Sequence, residues 1–320
     1  MTKETLIQQQ LILPELIRLD MAEIEKRLVR AANSDNKTMR DIISASVTTG
    51  GKRLRPMLIL STFRALNGQN LGNAYYGATA LELIHSASLI HDDIIDQATH
   101  RRGVPTAFDR FGLAPALLAG DFLFVEGYGM ASNLPNHIVQ SVVISLKKLG
   151  EGQLAEEMLD SRKPSFEEYQ EIITNKTAYL FWGSCRMGSQ LADAPEDTVE
   201  KISEAGLNLG VAFQYIDDIL DVIGDLQLTG KPAGTDFFTH KLSLPYYLFL
   251  DVYGDLPEKR TSEEFEKILP LLRSDSVMKP AKQMAAEYTQ KALSQFEKLP
   301  ENEISRFLIQ LGQQMLERVN

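Results

Sequence analysis

The chain has a single cysteine, Cys185, in 320 residues, so it can form no internal disulfide, and a reducing, cytoplasmic setting is favoured. Cys185 itself reads as a small core residue. No stretch approaches the roughly 18 consecutive apolar residues that cross a bilayer. The opening Met1-Thr-Lys-Glu-Thr-Leu-Ile also lacks the continuous apolar segment of a secretory leader, so any membrane contact is expected to be peripheral. Positive charge is in deficit, with 33 Lys and Arg against 43 Asp and Glu and a net charge of −10. That balance argues against a nucleic-acid partner and means a bound anion must be held by a local basic pocket or through a metal. β-Branched alternation is scarce, no strand pair is credible, and there is neither a low-complexity linker nor a short repeat.

What remains is helical periodicity, punctuated by glycine, proline and polar caps. Helices are predicted from Leu6 to Ala32 with a break at Pro14, over 38–49, from an opening in Lys52–Pro56 to about Leu66, and from about Leu71 to Gln97. A loop follows over 98–112. Further helices are predicted from Pro115 or Asp121 to Asn133, then over 136–149, 152–161, 166–182 and 196–224. Residues 227–241 read as irregular, with helices resuming at 242–252, 261–273, 275–297 and 301–318. The expectation is one all-α domain spanning 1–320.

Within the fourth helix stands Glu82-Leu-Ile-His85-Ser-Ala-Ser88-Leu-Ile-His91-Asp92-Asp93-Ile-Ile-Asp96. At about 100° per residue, His85, Ser88, Asp92 and Asp96 share one stripe. Carboxylates a turn apart on a buried face repel each other, and a hard divalent cation resolves the repulsion. The alternative is a solvated helix end. A second copy weighs against that: Gln214-Tyr-Ile-Asp217-Asp218-Ile-Leu-Asp221 repeats the spacing about 125 residues on. Two such helices facing one another would suit a ligand with a diphosphate head and a hydrocarbon tail.

Cations accompany the carboxylates. Gly50-Gly-Lys52-Arg53-Leu-Arg55-Pro56 places three at a helix start, either an anion site or a solvated turn. Arg101-Arg102 either balances the acidic stripe or forks a diphosphate. Lys176-Thr177 and Gly230-Lys231 lie near helix ends.

Together these motifs, in this order, resemble the trans-isoprenyl diphosphate synthases, or polyprenyl synthetases. The resemblance implies a bundle of ten or more helices around a deep central cavity, usually a homodimer. It assigns Lys52, Arg55, His85 and Arg102 to isopentenyl diphosphate. Asp92, Asp96, Arg101, Lys176, Thr177, Gln214, Asp217, Asp221 and Lys231 are assigned to the allylic diphosphate. Mg²⁺, about three ions with substrate bound, is expected on Asp92, Asp96 and Asp217. Asp93 and Asp218 point about 100° away from the main stripe and should support it from behind. The family's Gly-Lys-x-Thr-Leu-Pro reads His240-Lys241-Leu-Ser243-Leu-Pro245 here, with Lys241 keeping its role. The expected reaction is head-to-tail elongation of an allylic prenyl diphosphate. Small Ala87 and Ser88 above the first motif predict a medium-to-long product, beyond twenty carbons. Gly206 and Gly210 leave room or permit close helix packing, while Phe124 and Tyr128 are candidate floor residues. The alternatives are a short-chain farnesyl or geranylgeranyl synthase, the catalytic half of a heteromeric synthase needing a small partner, and a non-catalytic prenyl-binding regulatory subunit.

Overall fold

Caps and breakers set most element boundaries. The computed structural model describes residues 12–48, 51–101, 103–159, 165–224, 233–241 and 243–319. Helix α1 (Glu15–Ala31) starts directly after Pro14, and α2 (Lys37–Thr48) and α3 (Leu54–Ala65) follow. Helix α4 (Leu71–Ile95) opens where the Asn70 side chain accepts the Asn73 amide at 3.1 Å. After α4 come α5 (Ala107–Phe111), α6 (Leu113–Ala131), α7 (Asn136–Glu157) and α8 (Phe166–Ile173), the last begun by a capping box between Ser165 and Glu168. A π-turn (Thr174–Ala178) leads into α9 (Tyr179–Leu191) and α10 (Glu196–Ile223). The chain finishes with α11 (Thr235–Phe238), α12 (Leu244–Tyr253), α13 (Ser262–Leu272), α14 (Asp275–Phe296) and α15 (Glu303–Glu317). The fold is all-α, as the sequence predicts.

Two local expectations need correction. Residues 98–112 are not a plain loop. His100–Arg101 (β1) pairs antiparallel with Val104–Pro105 (β2), and α5 follows at once. Two-residue strands are too short to show alternation in a sequence, and the turn between them uses Gly103 at φ +77°. Helix α7 also runs unbroken through Gly150 and Gly152, where a stop was expected. Glycine inside a helix costs about 1 kcal/mol relative to alanine but does not end it, and Gly152 has a packing reason described below.

By contacts the chain divides into two compact units, each assembled from three segments. The first comprises 1–144, 183–200 and 299–308. Its axis is α4, buried nearly all round because no face of it is polar until the acidic end. Helix α6 lies along it closely enough that a Cβ on Gly127 would sit 2.8 Å from Ile84 Cγ1. The fully buried Asp20 of α1 is satisfied by Arg64 Nη2 at 2.7 Å and the Tyr75 hydroxyl at 2.7 Å.

The second unit comprises 145–182, 201–298 and 309–320. Tyr169, Tyr215, Tyr247 and Phe166 form an aromatic cluster there, Tyr169 and Tyr247 with ring centres 5.0 Å apart. The C-terminal end of α10 is tied down where Arg273 Nε donates to the Val222 carbonyl at 3.0 Å. Among the described residues, no helix is long and apolar enough to cross a membrane.

Candidate active site

The first acidic motif occupies the last turn of α4. The Asp96 amide donates to the Asp92 carbonyl at 2.8 Å, so the two carboxylates stand one helical turn apart. Asp92 is half-buried and Asp96 exposed. Asp93 is buried and faces elsewhere, accepting from Arg101 Nε at 2.7 Å. It lines a cleft of about 350 Å³ that includes neither Asp92 nor Asp96. The 100° step along the helix therefore gives Asp93 the job of holding Arg101.

The basic turn before α3 needs a revision. Arg53, one of its three cations, is buried and adopts left-handed backbone, φ 47° and ψ 39°. Its guanidinium donates to Glu82 Oε1 at 2.9 Å, Glu25 Oε1 at 2.8 Å and the Val47 carbonyl at 2.5 Å. Burial pulls the Arg53 pKa down, but Glu82 and Glu25 outweigh it and hold the group above its ordinary value. Half-buried Lys52 and Arg55 are thus presented from a turn anchored between them. Glu82 lies one turn before half-buried His85, so the same ion pair joins the basic turn to the helix bearing His85 and Asp92.

In the second unit, Lys176 and Thr177 sit in the π-turn, an irregularity that often marks functional positions. Two glycines crowd it. A Cβ on Gly152 would come 2.9 Å from Lys176 Cα, and one on Gly210 would come 2.6 Å from Ala178 Cα. Close packing, not space for a tail, is what Gly210 provides. Lys176 pairs with Glu156, and Lys241 Nζ lies 3.9 Å from the same carboxylate. Glu156 thereby gathers two of the predicted cations. The Thr177 hydroxyl donates to Gln214 Oε1 at 2.9 Å.

The second acidic motif divides its labour. Asp217 is exposed, and the Arg318 guanidinium is near enough to feel its charge, although burial lowers the Arg318 pKa overall. The Asp221 carboxylate accepts the Thr235 amide at 3.0 Å and the Asp236 amide at 3.2 Å, fixing the start of α11. Asp218 is buried and accepts from Gln214 Nε2 at 2.8 Å, the Tyr169 hydroxyl at 2.5 Å and the Leu244 amide at 3.0 Å. Burial first, then the charge of Asp236, pushes its pKa up, while the three hydrogen bonds pull it down. Three donors on two oxygens is the pattern of an ionised carboxylate. The bond to Leu244 also explains the departure at Ser243. That side chain makes no cap at α12, because Asp218 already serves the helix start. His240 replaces a family glycine on left-handed backbone, φ 59°, which costs an L-residue about 1 kcal/mol.

Arg102 and Lys231 lie outside the described residues. Sequence reasoning missed Glu82, Glu156 and Tyr169, since nothing local marks a partner that arrives from another helix. Of the two floor candidates, Phe124 packs tilted against His91 with ring centres 5.5 Å apart, while Tyr128 is 47% exposed and ill placed for a floor. Ala87 and Ser88 are buried, the Ser88 hydroxyl turned back to the His85 carbonyl at 2.9 Å.

Each acidic motif by itself carries the kind of ligand Mg²⁺ takes. Asp92 and Asp96 in the first unit and Asp217 in the second are carboxylates, hard oxygen donors, and none of the three is a soft ligand. Among the described residues no three Asp, Glu, His or Cys side chains converge on one point. A Mg²⁺ carried on a diphosphate asks the protein for only one or two carboxylates.

A family model for polyprenyl synthetase matches residues 36–282. The geranylgeranyl diphosphate synthase of Saccharolobus solfataricus is 31% identical over 295 residues, covering 86% of this chain and 88% of that one. Component 2 of the heptaprenyl diphosphate synthase of Geobacillus stearothermophilus is 32% identical over 303 residues, covering 92% and 94%. The crystal structure of the Staphylococcus aureus heptaprenyl diphosphate synthase matches with a TM-score of 0.87 at 29% identity, over 95% of this chain and 99% of that one. With its two spaced acidic motifs and its Lys-Thr turn hydrogen-bonded to Gln214, the chain belongs to the polyprenyl synthetase family and is a prenyltransferase of the trans-prenyl diphosphate synthase kind.

Proposed function

We propose that the protein condenses an allylic prenyl diphosphate head-to-tail with isopentenyl diphosphate, adding five-carbon units to give an all-trans polyprenyl diphosphate beyond twenty carbons. The observation that carries this reading is the hydrogen bond from the Thr177 hydroxyl, next to Lys176 in the π-turn, to Gln214, which stands three residues before Asp217 on α10. Those are the groups the reaction needs at a departing diphosphate. Asp92, Asp96 and Asp217 would hold Mg²⁺, which makes the allylic diphosphate a better leaving group.

Each residue then has a task. Arg101, held by Asp93, clamps a diphosphate oxygen pair. Lys176 and Lys241 leave Glu156 for the diphosphate as it enters. As the C–O bond ionises, the Thr177 hydroxyl oxygen and the Gln214 amide oxygen face the allylic cation. Lys52, Arg55 and His85 orient isopentenyl diphosphate so that its double bond attacks. The departing diphosphate takes the proton lost in the final step. Apolar walls exclude the water that would otherwise quench the cation.

Chain length is argued from Ala87 and Ser88. Both are small and buried on α4 within two turns of Asp92, and neither position carries an aromatic ring. Each added unit buries five carbons, about 4 kcal/mol at most, so one blocking side chain can end growth. The relatives' names span geranylgeranyl and heptaprenyl products at nearly equal identity, so likeness alone favours neither.

We further propose a homodimer. Helix α6 exposes Leu117, Leu118, Val125 and Tyr128 on one side, an apolar stripe suited to a second copy of the chain. One relative is named as component 2 of its synthase, which makes a small second subunit the competing occupant. A non-catalytic role is disfavoured because both acidic motifs and the Lys-Thr turn are intact.

The test uses purified protein, Mg²⁺, radiolabelled isopentenyl diphosphate and a farnesyl or geranylgeranyl primer, with chromatography of the dephosphorylated products. A ladder passing twenty carbons, abolished by EDTA, is expected. Accumulation at twenty carbons would assign the short-chain reading. Activity only after adding cell extract would point to a missing subunit.

A further inference from the structure

We propose that Tyr169 is a positioning residue for the prenyl-transfer step. Through the Asp218 carboxylate it fixes which way round the Gln214 amide lies, and so which way the Thr177 hydroxyl points. This inference rests on the function proposed above.

The chain of contacts is continuous and lies within one unit. The Tyr169 hydroxyl and the Leu244 amide both donate to Asp218 Oδ2, at 2.5 Å and 3.0 Å, while Gln214 Nε2 donates to Oδ1 at 2.8 Å. A carboxylate only accepts, so it selects the NH₂ end of the Gln214 amide and repels the oxygen end. That choice turns Gln214 Oε1 toward Thr177, whose hydroxyl donates to it at 2.9 Å. Because the Thr177 proton is committed to Gln214, its oxygen lone pairs are left for the allylic centre. Were the amide flipped, its NH₂ would donate to Thr177 and occupy a lone pair needed by the developing cation.

Tyr169 is suited to the task because it cannot easily move. It is 5% exposed and packed against Phe166, Tyr215 and Tyr247. Burial beside the Asp218 charge holds its pKa well above the ordinary value, so the phenol remains a donor. It anchors one carboxylate oxygen from α8, and Leu244 anchors it from α12, leaving Oδ1 aimed along α10 at the side chain four residues earlier. The Tyr169→Phe change removes one oxygen and preserves the ring packing.

The experiment is a double-mutant cycle on the full-length enzyme, measuring kcat and both KM values with Mg²⁺, isopentenyl diphosphate and an allylic primer. Tyr169→Phe should lower kcat about tenfold with both KM values within about twofold. Thr177→Val should lower kcat about 100-fold. The double variant should fall no more than about twofold below Thr177→Val, because the relay's output is already gone. Tyr247→Phe strips a hydroxyl of the same aromatic cluster that donates to the Ser165 carbonyl at 3.4 Å and is no link of the relay, and should keep kcat within about twofold. Losses that multiply to about 1,000-fold, or a Tyr169→Phe enzyme with wild-type kcat, would overturn the relay while the proposed reaction stands. A wild-type protein without prenyl transfer would overturn both.

Discussion

Replacing Glu82 with leucine tests whether the buried ion pair with Arg53 organises the basic turn. Both side chains are nearly inaccessible, 5% and 7% exposed, and they meet at 2.9 Å. Removing one partner of such a pair strands the other charge in a poorly solvated site, at about 3–5 kcal/mol. Arg53 keeps Glu25, which is 48% exposed, and the Val47 carbonyl, so the lower end applies, about 3 kcal/mol. For a chain of 320 residues that lowers Tm by about 4–5 °C, readable by calorimetry. The double variant Arg53→Met/Glu82→Leu should regain at least about 1 kcal/mol over the single one, since no charge is then buried alone. Steady-state kinetics supply the functional half. Lys52 and Arg55 flank Arg53, so KM for isopentenyl diphosphate should rise about tenfold, with KM for the allylic substrate within about twofold. Stability of Glu82→Leu within about 1 kcal/mol of wild type, or a double variant losing the full sum of both changes, would refute the reasoning.

Asp92→Ala should cut Mg²⁺-dependent turnover by about 10²–10³, and near-normal rates in a radiolabel assay would remove Asp92 from the metal set. Ser88→Phe should shorten the product ladder seen by chromatography; an unchanged ladder would place the tail elsewhere. Glu156→Gln should lower KM for the allylic diphosphate about threefold or more by releasing Lys176 and Lys241 from competition, whereas a raised KM would make Glu156 a positioning group. His240→Gly should add about 0.5–1 kcal/mol of stability in urea titrations, as glycine accepts φ 59° without the Cβ clash.

Most helices were legible from local chemistry. Asn70, Ser165 and Thr261 each stand where a helix starts, because a cap satisfies amides that lie only a few residues away, and Pro14 immediately precedes another. The acidic repeats were legible too, since spacing along a helix is a local property. What failed to show was anything decided by a distant neighbour. The Gly150–Gly152 stretch reads as a break between two helices until the Lys176 backbone is seen pressed against Gly152. Arg53 reads as a free cation until Glu82 arrives from 29 residues away. The strand pair at His100–Pro105 is held by turn geometry over too few residues to leave a pattern. The second carboxylates, Asp93 and Asp218, were placed behind the main stripe by angle alone, and their partners Arg101 and Tyr169 came only with the fold.

The wide turn at Thr174–Ala178 makes the path from α8 to α9 one residue longer than a regular α-helix would need. Deleting a single residue just upstream would restore regular winding and swing Lys176 and Thr177 through about 100° relative to α8. The orientation of Lys176 and Thr177 therefore depends on a counted irregularity, and losing one residue here would turn both side chains away from Glu156 and Gln214.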